Sequence, residues 1–479
     1  MTRLIPVRNP RSGLVDYQLA AGDAADLSAA AARLRAAQPA WQALGVEGRT
    51  EVMLRWVDAV DANAPAIVDA LVADTGRYTI SRNEVHGIGR KVRHLCKVAA
   101  TALTSEEKTA SLAPSVAFRP QYIPYQLVGT ISPWNFPITL SLIDALPALV
   151  AGSAVIVKPS EVTPRFIEPF RRTIAAVPEL AAVFDVIGGD GETGRALIDV
   201  ADMICFTGSV PTGRKVAEAA ARRFIPVFLE LGGKDPAIVL ASADIDRAAD
   251  AILRQAVVNS GQVCLSIERV YVDRAIFDPF VTALTARARA VELNARDIRT
   301  GHLGPIISSA QADIIESHIA EAVANGATIH SGGIIEGEGG KWMRPTVLTG
   351  VTNTMKIIRD ESFGPLIPVI AFDTVEEAIT LANDTNFGLS AAVFAGSEAE
   401  AMTVAERIDA GAVSINDAGL QSMTTEAEKN SFKFSGLGGS RMGTMGLMRF
   451  FRKKALMIQR GAVRDIDVFR EQPVETVGN

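Results

Sequence analysis

Cysteine is scarce in this chain. The 479 residues include only Cys96, Cys205 and Cys264, which lie far apart and form neither a CxxC pair nor a cluster with the five histidines. Disulfide frameworks and structural zinc sites need several such residues at short spacings. The sequence therefore argues against a disulfide-stapled fold and predicts no metal site.

The chain also lacks an excess of basic residues and a long apolar run. The formal net charge is −6 and the isoelectric point about 5.6, so the composition does not favour nucleic acid or an anionic membrane as a partner. The longest apolar run, residues 145–157, is too short to span a bilayer and contains Pro147 and Gly152. The first residues have no apolar secretion signal. We therefore expect a cytoplasmic protein without membrane or nucleic-acid contacts.

What is present is a regular alternation of apolar strands and helices. A chain of this length predicts about three domains, or two large ones. Between residues 127 and 230, helix-like segments separate five apolar runs, at 127–131, 154–157, 184–187, 203–206 and 227–230. Such spacing is typical of βαβ units and a parallel sheet with both faces covered. A second alternation runs from 235 to about 416, so the sequence predicts two α/β units that meet near Lys234.

The remaining segments give weaker signals. Residues 1–25 predict an irregular lead-in, and residues 24–103 show helical periodicity. Residues 110–126 are rich in Pro, Tyr and Ser and indicate an extended arm. Residues 454–460 are strand-like without a local partner, and another subunit's arm is a candidate to pair with them.

Three glycine-rich loops suggest nucleotide binding to different degrees. Residues 189–194 match GxGxxG, but they follow the third strand of the alternation and no ribose-binding acid stands about 20 residues on. Residues 208–215 nearly match a P-loop but place Arg214 and Lys215 where lysine and Ser/Thr should stand. In residues 230–234 an acid ends a strand and two glycines let the backbone approach a ligand closely.

Cys264 lies in a short polar loop, residues 259–266, between a helix-like run and a strand-like run. A thiol at such a position can face a cleft and act as a nucleophile. Taken alone, the cysteine is more often a small buried apolar residue. The motifs elsewhere in the chain favour the catalytic interpretation.

Taken together, these motifs resemble the aldehyde dehydrogenase superfamily. The motifs that carry the resemblance are residues 131–137 (ISPWNFP), 206–209 (FTGS), 230–234 (ELGGK) and 261–264 (GQVC), supported by 158–161 (KPSE) and 361–365 (ESFGP). They occur in the family's order and with its spacing, from about residue 20 to 460.

The resemblance implies an α/β fold of the aldehyde dehydrogenase type, with two parallel-sheet domains and a small β oligomerisation arm. Residues 1–104 and 125–235 would form a Rossmann-like NAD-binding domain, and residues 236–440 the catalytic domain. Residues 105–124 and 445–479 would form the arm and C-terminal strand. A homodimer or homotetramer is implied.

The resemblance also assigns catalytic roles. Cys264 would be the nucleophile, since hydride can leave only from a tetrahedral adduct that a thiolate can supply. The Asn135 side-chain amide and the Cys264 main-chain N–H would bind the oxyanion. Glu230 would be the general base for thioester hydrolysis. Read singly, Asn135 could instead be a helix N-cap, and Glu230 a solvated acid.

The implied cofactor is NAD, with NADP possible. A carboxylate at Glu161 accepts hydrogen bonds from ribose hydroxyls and repels a 2′-phosphate. Lys158 and Glu161 could otherwise be a surface ion pair, and Glu361 could cap the loop that follows it. The residues that the resemblance assigns to the cofactor are Ile131, Ser132, Trp134, Lys158, Ser160, Glu161, Gly191, Phe206, Gly208, Ser209, Leu231, Gly232, Glu361 and Phe363.

The aldehyde itself is less well specified. The resemblance places Phe136, Leu140, Ile143, Val263 and Leu265 along the substrate tunnel, and their apolar character favours an apolar or aromatic aldehyde. Two alternatives are a succinate-semialdehyde-type enzyme, to which the chain has a loose similarity, and a CoA-acylating enzyme. Residues 417–432 depart from the family's pattern: the usual Pro-Phe-Gly-Gly-like segment is absent and the loop is unusually polar.

Overall fold

The computed structural model describes residues 3–103, 106–337 and 339–471. The chain begins with a β-hairpin and four helices: β1 (Arg3–Arg8), β2 (Val15–Ala21), α1 (Ala24–Ala43), α2 (Gly45–Thr75), α3 (Thr79–His86) and α4 (Ile88–Ala102). The expectation of an irregular lead-in was therefore wrong for residues 3–21, while residues 1 and 2 lie outside the described part. In the two strands of this hairpin only Val7, Leu19 and Ala21 are buried, so the strand periodicity is too weak to recognise from the sequence.

Local chemistry sets the limits of the first two helices. Asp23 caps α1 by accepting hydrogen bonds from the main-chain N–H groups of Ala25 and Asp26, and the Asp26 carboxylate bonds back to the Asp23 N–H. The helix α2 ends at Gly76, whose φ of 67° is the left-handed conformation that glycine adopts most readily.

The first large sheet contains the strands of the first predicted alternation. Its elements are β5 (Leu127–Ile131), α5 (Pro137–Ala151), β6 (Ala154–Lys158), α6 (Ile167–Ala175), α7 (Pro178–Ala181), β7 (Phe184–Val186), α8 (Gly191–Val200), β8 (Met203–Thr207), α9 (Val210–Arg223) and β9 (Val227–Glu230). Strands β9, β8, β5, β6 and β7 lie in that order and pair in parallel. Strands β5, β6, β7 and β8 are completely buried because helices cover both faces, whereas β9 is partly exposed.

The second large sheet begins five residues after β9 ends. Its strands are β10 (Asp235–Val239), β11 (Ile267–Asp273), β12 (Thr328–Ser331), β15 (Thr346–Thr349), β16 (Leu366–Phe372), β18 (Ser390–Phe394) and β19 (Ala412–Ile415), in the order β12-β15-β16-β11-β10-β18-β19. Its helices are α10 (Ile245–Val257), α11 (Phe277–Arg289), α12 (Ser309–Ala324), α13 (Lys356–Arg359), α14 (Val375–Asn383) and α15 (Glu398–Ala405). The pairing is parallel except between β12 and β15. The α/β fold class with two parallel sheets is confirmed.

A three-stranded antiparallel sheet forms the predicted arm. It consists of β3 (Lys108–Ala110), β4 (Ala113–Pro124) and β22 (Phe451–Gln459), with β4 in the middle. Pairing of β22 with β4 brings Phe451 opposite Pro124 and Gln459 opposite Val116. The C-terminal strand therefore pairs within its own chain, contrary to the expectation that another subunit would supply its partner. The partner is more than 300 residues away, which no local pattern reveals.

The remaining short elements are β13 (Ile335–Glu336), β14 (Trp342–Met343), β17 (Phe387–Gly388), β20 (Phe432–Lys433), β21 (Gly436–Leu437) and α16 (Gly443–Met448). Although β21 falls in the range predicted for the catalytic domain, it pairs with β9 and extends the first sheet. The predicted domain ranges also include residues 1–2, 104–105, 338 and 472–479, which lie outside the described residues. The division into domains stays a prediction.

A buried ion-pair cluster fixes α5, which carries the candidate substrate residues. Asp144 on α5 accepts hydrogen bonds from Arg441 and Arg449, and all three side chains are less than a tenth exposed. Although burial opposes it, the two guanidinium groups lower the pKa of Asp144 below its usual value. Arg441 also donates to the hydroxyl of Thr207 at 2.7 Å. The segment 441–449 thus ties α5 to the end of β8.

Candidate active site

The loop that carries Cys264 has an unusual main-chain path. Asn259, Ser260 and Gly261 have successive φ values of 53°, 57° and 73°. A side chain at Gly261 would place its Cβ 2.2 Å from the carbonyl group of Gly364, so only glycine fits there. The tight turn leaves residues 263–265 partly exposed between buried neighbours.

Gln262 holds this loop in place from inside the protein. Its side chain is fully buried, donates to the carbonyl oxygens of Asn259 at 2.9 Å and Pro305 at 3.3 Å, and accepts from the N–H of Ile307 at 2.8 Å. These bonds satisfy the polar atoms of the amide, as burial requires. Cys264 therefore stands on a rigid loop rather than a mobile one.

Asn135 follows β5 and reaches the Cys264 loop. Its Nδ2 donates to the Gln262 carbonyl oxygen at 2.9 Å, and its buried Oδ1 has no partner in the described part of the chain. The amide nitrogen has a second N–H, which this bond leaves free. The residue at the N-cap of α5 is Phe136, and no side chain caps that helix, so the alternative of a capping role for Asn135 does not hold.

Two residues that the sequence interpretation missed support Asn135. Arg77 donates to the Asn135 carbonyl oxygen at 2.6 Å, and Asn259 donates to the same oxygen at 3.1 Å. The Arg77 guanidinium also pairs with Glu84 at 3.2 Å and lies 4.6 Å from the centre of the Phe136 ring. Arg77 and Glu84 are almost fully buried. Two charged residues seven positions apart in a largely helical stretch give no signal that separates such a role from a surface pair.

Glu230, the last residue of β9, lies between the sheet and the divergent loop. Its carboxylate accepts a hydrogen bond from the Ser431 hydroxyl at 2.8 Å. A Cβ on Gly233 would lie 2.2 Å from the Cys264 carbonyl oxygen, so the glycines after Glu230 allow close approach to the Cys264 loop. The structure thus brings Asn135, Glu230 and Cys264, all predicted as catalytic, to adjacent segments.

The electrostatic surroundings keep Cys264 protonated. Burial raises the pKa of its thiol to about 12, and the negative charges of Glu361, Asp235 and Glu230 contribute in that order, while Lys429 opposes them. A thiol with this pKa is almost fully neutral near pH 7. Ionisation therefore requires a base or a change in the surroundings.

Glu361 and Phe363 approach the same region from the second sheet. The Glu361 carboxyl accepts from the Gly233 N–H at 3.0 Å, and burial, aided by the charge of Glu268, raises its pKa to about 8. The Phe363 ring packs edge-on against Trp134 with 5.4 Å between ring centres. Phe363 has a φ of 51°, an unfavourable conformation for a bulky residue.

A second group missed by the sequence interpretation holds that conformation. The Glu268 carboxylate accepts from the main-chain N–H groups of Ser362 at 2.7 Å and Phe363 at 2.8 Å, and from Lys234 Nζ at 2.5 Å. Glu268, Lys234 and Ser362 are buried, and the bond from the Phe363 N–H is partly buried. The charged pair Glu268 and Arg269 in the buried part of strand β11 is the signal that could have indicated this role, because a buried charge needs a partner.

Most of the predicted cofactor residues lie at the carboxyl ends of parallel strands in the first sheet, where ligands bind in open α/β sheets. Those at the ends of β5, β6, β8 and β9 or in the following loops are Ile131, Ser132, Trp134, Lys158, Ser160, Glu161, Phe206, Gly208, Ser209, Leu231 and Gly232. Lys158 Nζ lies 3.6 Å from the Glu161 carboxylate. The Phe206 ring is buried beneath Gly208, where an added Cβ would come within 2.5 Å of it.

The other two glycine-rich loops, residues 189–194 and 208–215, differ in whether a side chain caps the helix that follows. Ser209 precedes α9 without a side-chain cap, so the N–H groups of the first turn are available to an anion. By contrast, the Asp190 side chain caps α8 next to Gly191 and pairs with Arg3. The uncapped turn after Gly208 and the partly exposed Glu161 carboxylate fit the pyrophosphate and a ribose of NAD(P). The capped turn at Gly191 does not provide a second open phosphate site.

The predicted substrate residues are partly exposed on two segments, α5 with its start and the Cys264 loop. Phe136, Leu140 and Ile143 are half-buried along α5 and its start, while most other residues of this helix are fully buried. Val263 and Leu265 flank Cys264. Among the described residues, no group of acidic, histidine or cysteine side chains could hold a metal, and no helix is long and apolar enough to cross a membrane.

Comparison with known proteins agrees with this geometry. The aldehyde dehydrogenase family profile matches residues 1–456. A Mycolicibacterium smegmatis protein named provisionally as an NADP(+)-type succinate-semialdehyde dehydrogenase is 36% identical over 95% of this chain and 89% of its own. A 2-hydroxymuconic semialdehyde dehydrogenase of Pseudomonas sp. strain CF600 is 34% identical over 92% of this chain and 93% of its own.

A solved structure is more similar still. A protein from Anabaena variabilis, named provisionally as the aldehyde dehydrogenase PutA, is 51% identical, with a TM-score of 0.95 over 97% of this chain and 99% of its own. The fold, the matched profile and these relatives agree with one another. The chain therefore belongs to the aldehyde dehydrogenase family and is an NAD(P)-dependent oxidoreductase that acts on aldehydes.

Proposed function

We propose that this protein oxidises an aldehyde to the carboxylic acid through a thioester on Cys264. The observation that carries the proposal is a pair of free donors beside a partly exposed thiol. The Cys264 main-chain N–H has no acceptor within residues 3–103, 106–337 and 339–471, and the Asn135 amide keeps one N–H unbound. Donors fixed in this way stabilise the oxyanion that forms when the thiolate attacks the carbonyl carbon.

The first step needs a base, because the Cys264 thiol is neutral at ordinary pH. We assign this proton transfer to Glu230, whose negative charge acts on the thiol and whose carboxylate is held by Ser431. Attack by sulfur then gives a thiohemiacetal. NAD(P), when bound, accepts the hydride that leaves the adduct, which becomes a thioester.

Hydrolysis of the thioester completes the reaction. Glu230 releases the first proton to solvent and then removes a proton from the attacking water, and the same two donors stabilise the second oxyanion. The acid leaves and Cys264 regains its proton. A water-activating carboxylate favours this hydrolytic course over transfer of the acyl group to CoA.

The cofactor residues favour NAD over NADP. The Glu161 carboxylate would accept hydrogen bonds from the adenosine ribose and repel a 2′-phosphate, with Lys158 orienting it. Main-chain N–H groups after Ser209 would bind the pyrophosphate. Glu361 would contact the nicotinamide ribose. Replacement of Glu161 by Gln should raise the use of NADP relative to NAD.

The substrate has an apolar carbon chain, since Val263 and Leu265 flank Cys264 and the half-buried residues Phe136, Leu140 and Ile143 follow Asn135 at the start of α5 and along it. A semialdehyde, the alternative to a wholly apolar aldehyde, is favoured by the names of the Mycolicibacterium and Pseudomonas relatives. The arm formed by β3, β4 and β22 leaves one edge of β22 for contact between copies, which supports a homodimer or homotetramer. Light scattering that gives a monomer would exclude this assembly.

The direct test is to compare the wild-type protein with Cys264→Ala over aliphatic, aromatic and carboxylated aldehydes, with NAD and with NADP. Formation of reduced cofactor and of the free acid is expected only with Cys264 present. Cys96→Ala is the matched control, because Cys96 is buried in α4, and it should keep its activity. Full activity of Cys264→Ala, or acyl-CoA formation without free acid, would overturn the proposal.

A further inference from the structure

The divergent loop 417–432 contains one lysine whose ammonium group is left without a partner. Lys429 is half-buried, and its Nζ has no hydrogen bond or carboxylate partner among the described residues. The nearby acids of the loop are engaged elsewhere: Glu428 accepts from the Met445 N–H at 2.8 Å, and Glu426 from Thr424 Oγ1 at 3.0 Å. Lys433, the next lysine along the chain, pairs with Asp409 at 2.9 Å.

Hydrogen bonds on both sides of Lys429 fix it over the active site. Its own N–H donates to the Ser440 hydroxyl at 3.0 Å. Two residues later, Ser431 donates to the Glu230 carboxylate. The main chain of the loop is therefore anchored beside the proposed general base, and the lysine side chain starts within two residues of that anchor.

The positive charge of Lys429 acts on two ionisable groups of the candidate active site. It lowers the pKa of both Cys264 and Asp235, although burial is the largest influence on each group and raises both. Asp235 does not neutralise the ammonium, because its carboxyl is buried against the N–H and hydroxyl of Ser390 and its pKa is raised to about 7. A half-buried cation without a counter-ion is a favourable place for a ligand anion.

We propose that Lys429 binds an anionic group at the far end of the aldehyde, which makes the substrate class aldehydes with a distal carboxylate. This assignment rests on the proposed oxidation at Cys264. The apolar residues Phe136, Leu140 and Ile143 contact the carbon chain between the two ends. Oxidation at one end and charge recognition at the other then give a role to both the half-buried apolar residues of α5 and the polar loop anchored at Glu230.

Lys429 has one competing role, which is electrostatic activation of the thiol. In that role its positive charge would favour the thiolate for every aldehyde equally. Anion recognition instead discriminates between substrates of the same length. Succinic semialdehyde and butanal have the same four-carbon chain and differ in the distal carboxylate, so together they separate the two roles.

The experiment measures kcat and KM for both aldehydes in wild type, Lys429→Met, Lys429→Arg and the control Lys433→Met. For Lys429→Met, kcat/KM for succinic semialdehyde should fall about 10-fold or more, chiefly through KM, while that for butanal changes less than about 2-fold. Lys429→Arg should keep most of the discrimination, and Lys433→Met should resemble wild type. Equal losses for the two aldehydes, or no loss for either, would overturn the anion-binding role.

A second measurement does not depend on turnover. Succinate should protect Cys264 of the wild type against alkylation by iodoacetamide better than butanoate does, and this difference should vanish in Lys429→Met. Equal protection by the two acids would also overturn the assignment. A different result would show that the proposed oxidation at Cys264 is wrong. In that case Cys264→Ala would be as active as wild type, whatever residue stands at position 429.

Discussion

The side-chain nitrogen of Asn135 lies 2.9 Å from the main-chain oxygen of Gln262, although the two residues are 127 positions apart in the sequence. This bond joins the loop after β5 in the first sheet to the Cys264 loop before β11 in the second. It turns the amide so that Nδ2 faces the Cys264 loop. In the reverse orientation the Asn135 Oδ1 would face the Gln262 carbonyl oxygen and the two would repel each other. The donor side of the amide is therefore fixed before any substrate arrives.

Replacement of Asn135 by Ala should lower kcat by about 10²–10³-fold, because one fixed oxyanion donor is lost. Steady-state kinetics measures this effect. Binding of NAD, followed by quenching of protein fluorescence, should stay close to wild type. Cofactor binding that falls in parallel with kcat would show a collapsed loop rather than a lost donor.

Part of the Cys264 thiol ionises without a base when the pH is alkaline. Under that condition, replacement of Glu230 by Gln should slow hydrolysis of the thioester more than its formation. At alkaline pH, stopped-flow traces should show a burst of NADH followed by a slow steady state, and mass spectrometry should detect the acyl group on Cys264. Ser431→Ala removes the hydroxyl that holds the same carboxylate and should give a milder version of this trace. A steady state unchanged from wild type in Glu230→Gln would contradict the base role.

The raised pKa of Cys264 predicts a simple dependence of its reactivity on pH. The thiol is protonated below a pKa of about 12, so its thiolate fraction rises about tenfold for each pH unit across the neutral and mildly alkaline range. Alkylation of the cofactor-free protein by iodoacetamide should therefore still accelerate at about pH 9, where a free thiol of pKa about 8.5 is levelling off. Mass spectrometry assigns the label to Cys264, because Cys96 and Cys205 are buried. A plateau below about pH 8 would contradict this prediction.

Replacement of Arg449 by Met should destabilise the protein by about 3–5 kcal/mol, since Asp144 would lose one of its two buried cations. Thermal or denaturant unfolding measures the change. Arg460→Met is the matched control: Arg460 is largely exposed, pairs with Glu107 at 2.8 Å, and should shift stability by less than about 1 kcal/mol. Similar shifts in both variants would exclude a special contribution of the buried cluster.

The larger elements could be predicted because their signals are local. Strand β6 is an apolar run that ends at Lys158, so it was placed within one residue. The hairpin of β1 and β2 was missed because few of its residues are buried. The pairing of β22 with β4 was missed because the two strands are more than 300 residues apart in the sequence.

The residues of the candidate active site likewise fall into those that the sequence could identify and those that it could not. Cys264, Glu230 and Asn135 could be named from short motifs, since each motif is continuous in sequence. Arg77 and Glu268 could not, because their importance comes from burial against main-chain groups of distant segments. The left-handed conformations of Asn259 and Phe363 were likewise invisible, since their stabilising contacts are tertiary.

The sequence by itself determined the family, the alternation of strands and helices, and the reactive groups, because periodicity and motif chemistry are written in neighbouring residues. Only the tertiary structure decided which groups stand together, how Asn135 is turned and where Lys429 is anchored. The physical reason is that hydrogen bonds and charge interactions act over a few ångströms in space, whereas partners such as Asn135 and Gln262 are 127 positions apart along the chain and Glu230 and Ser431 are 201 apart.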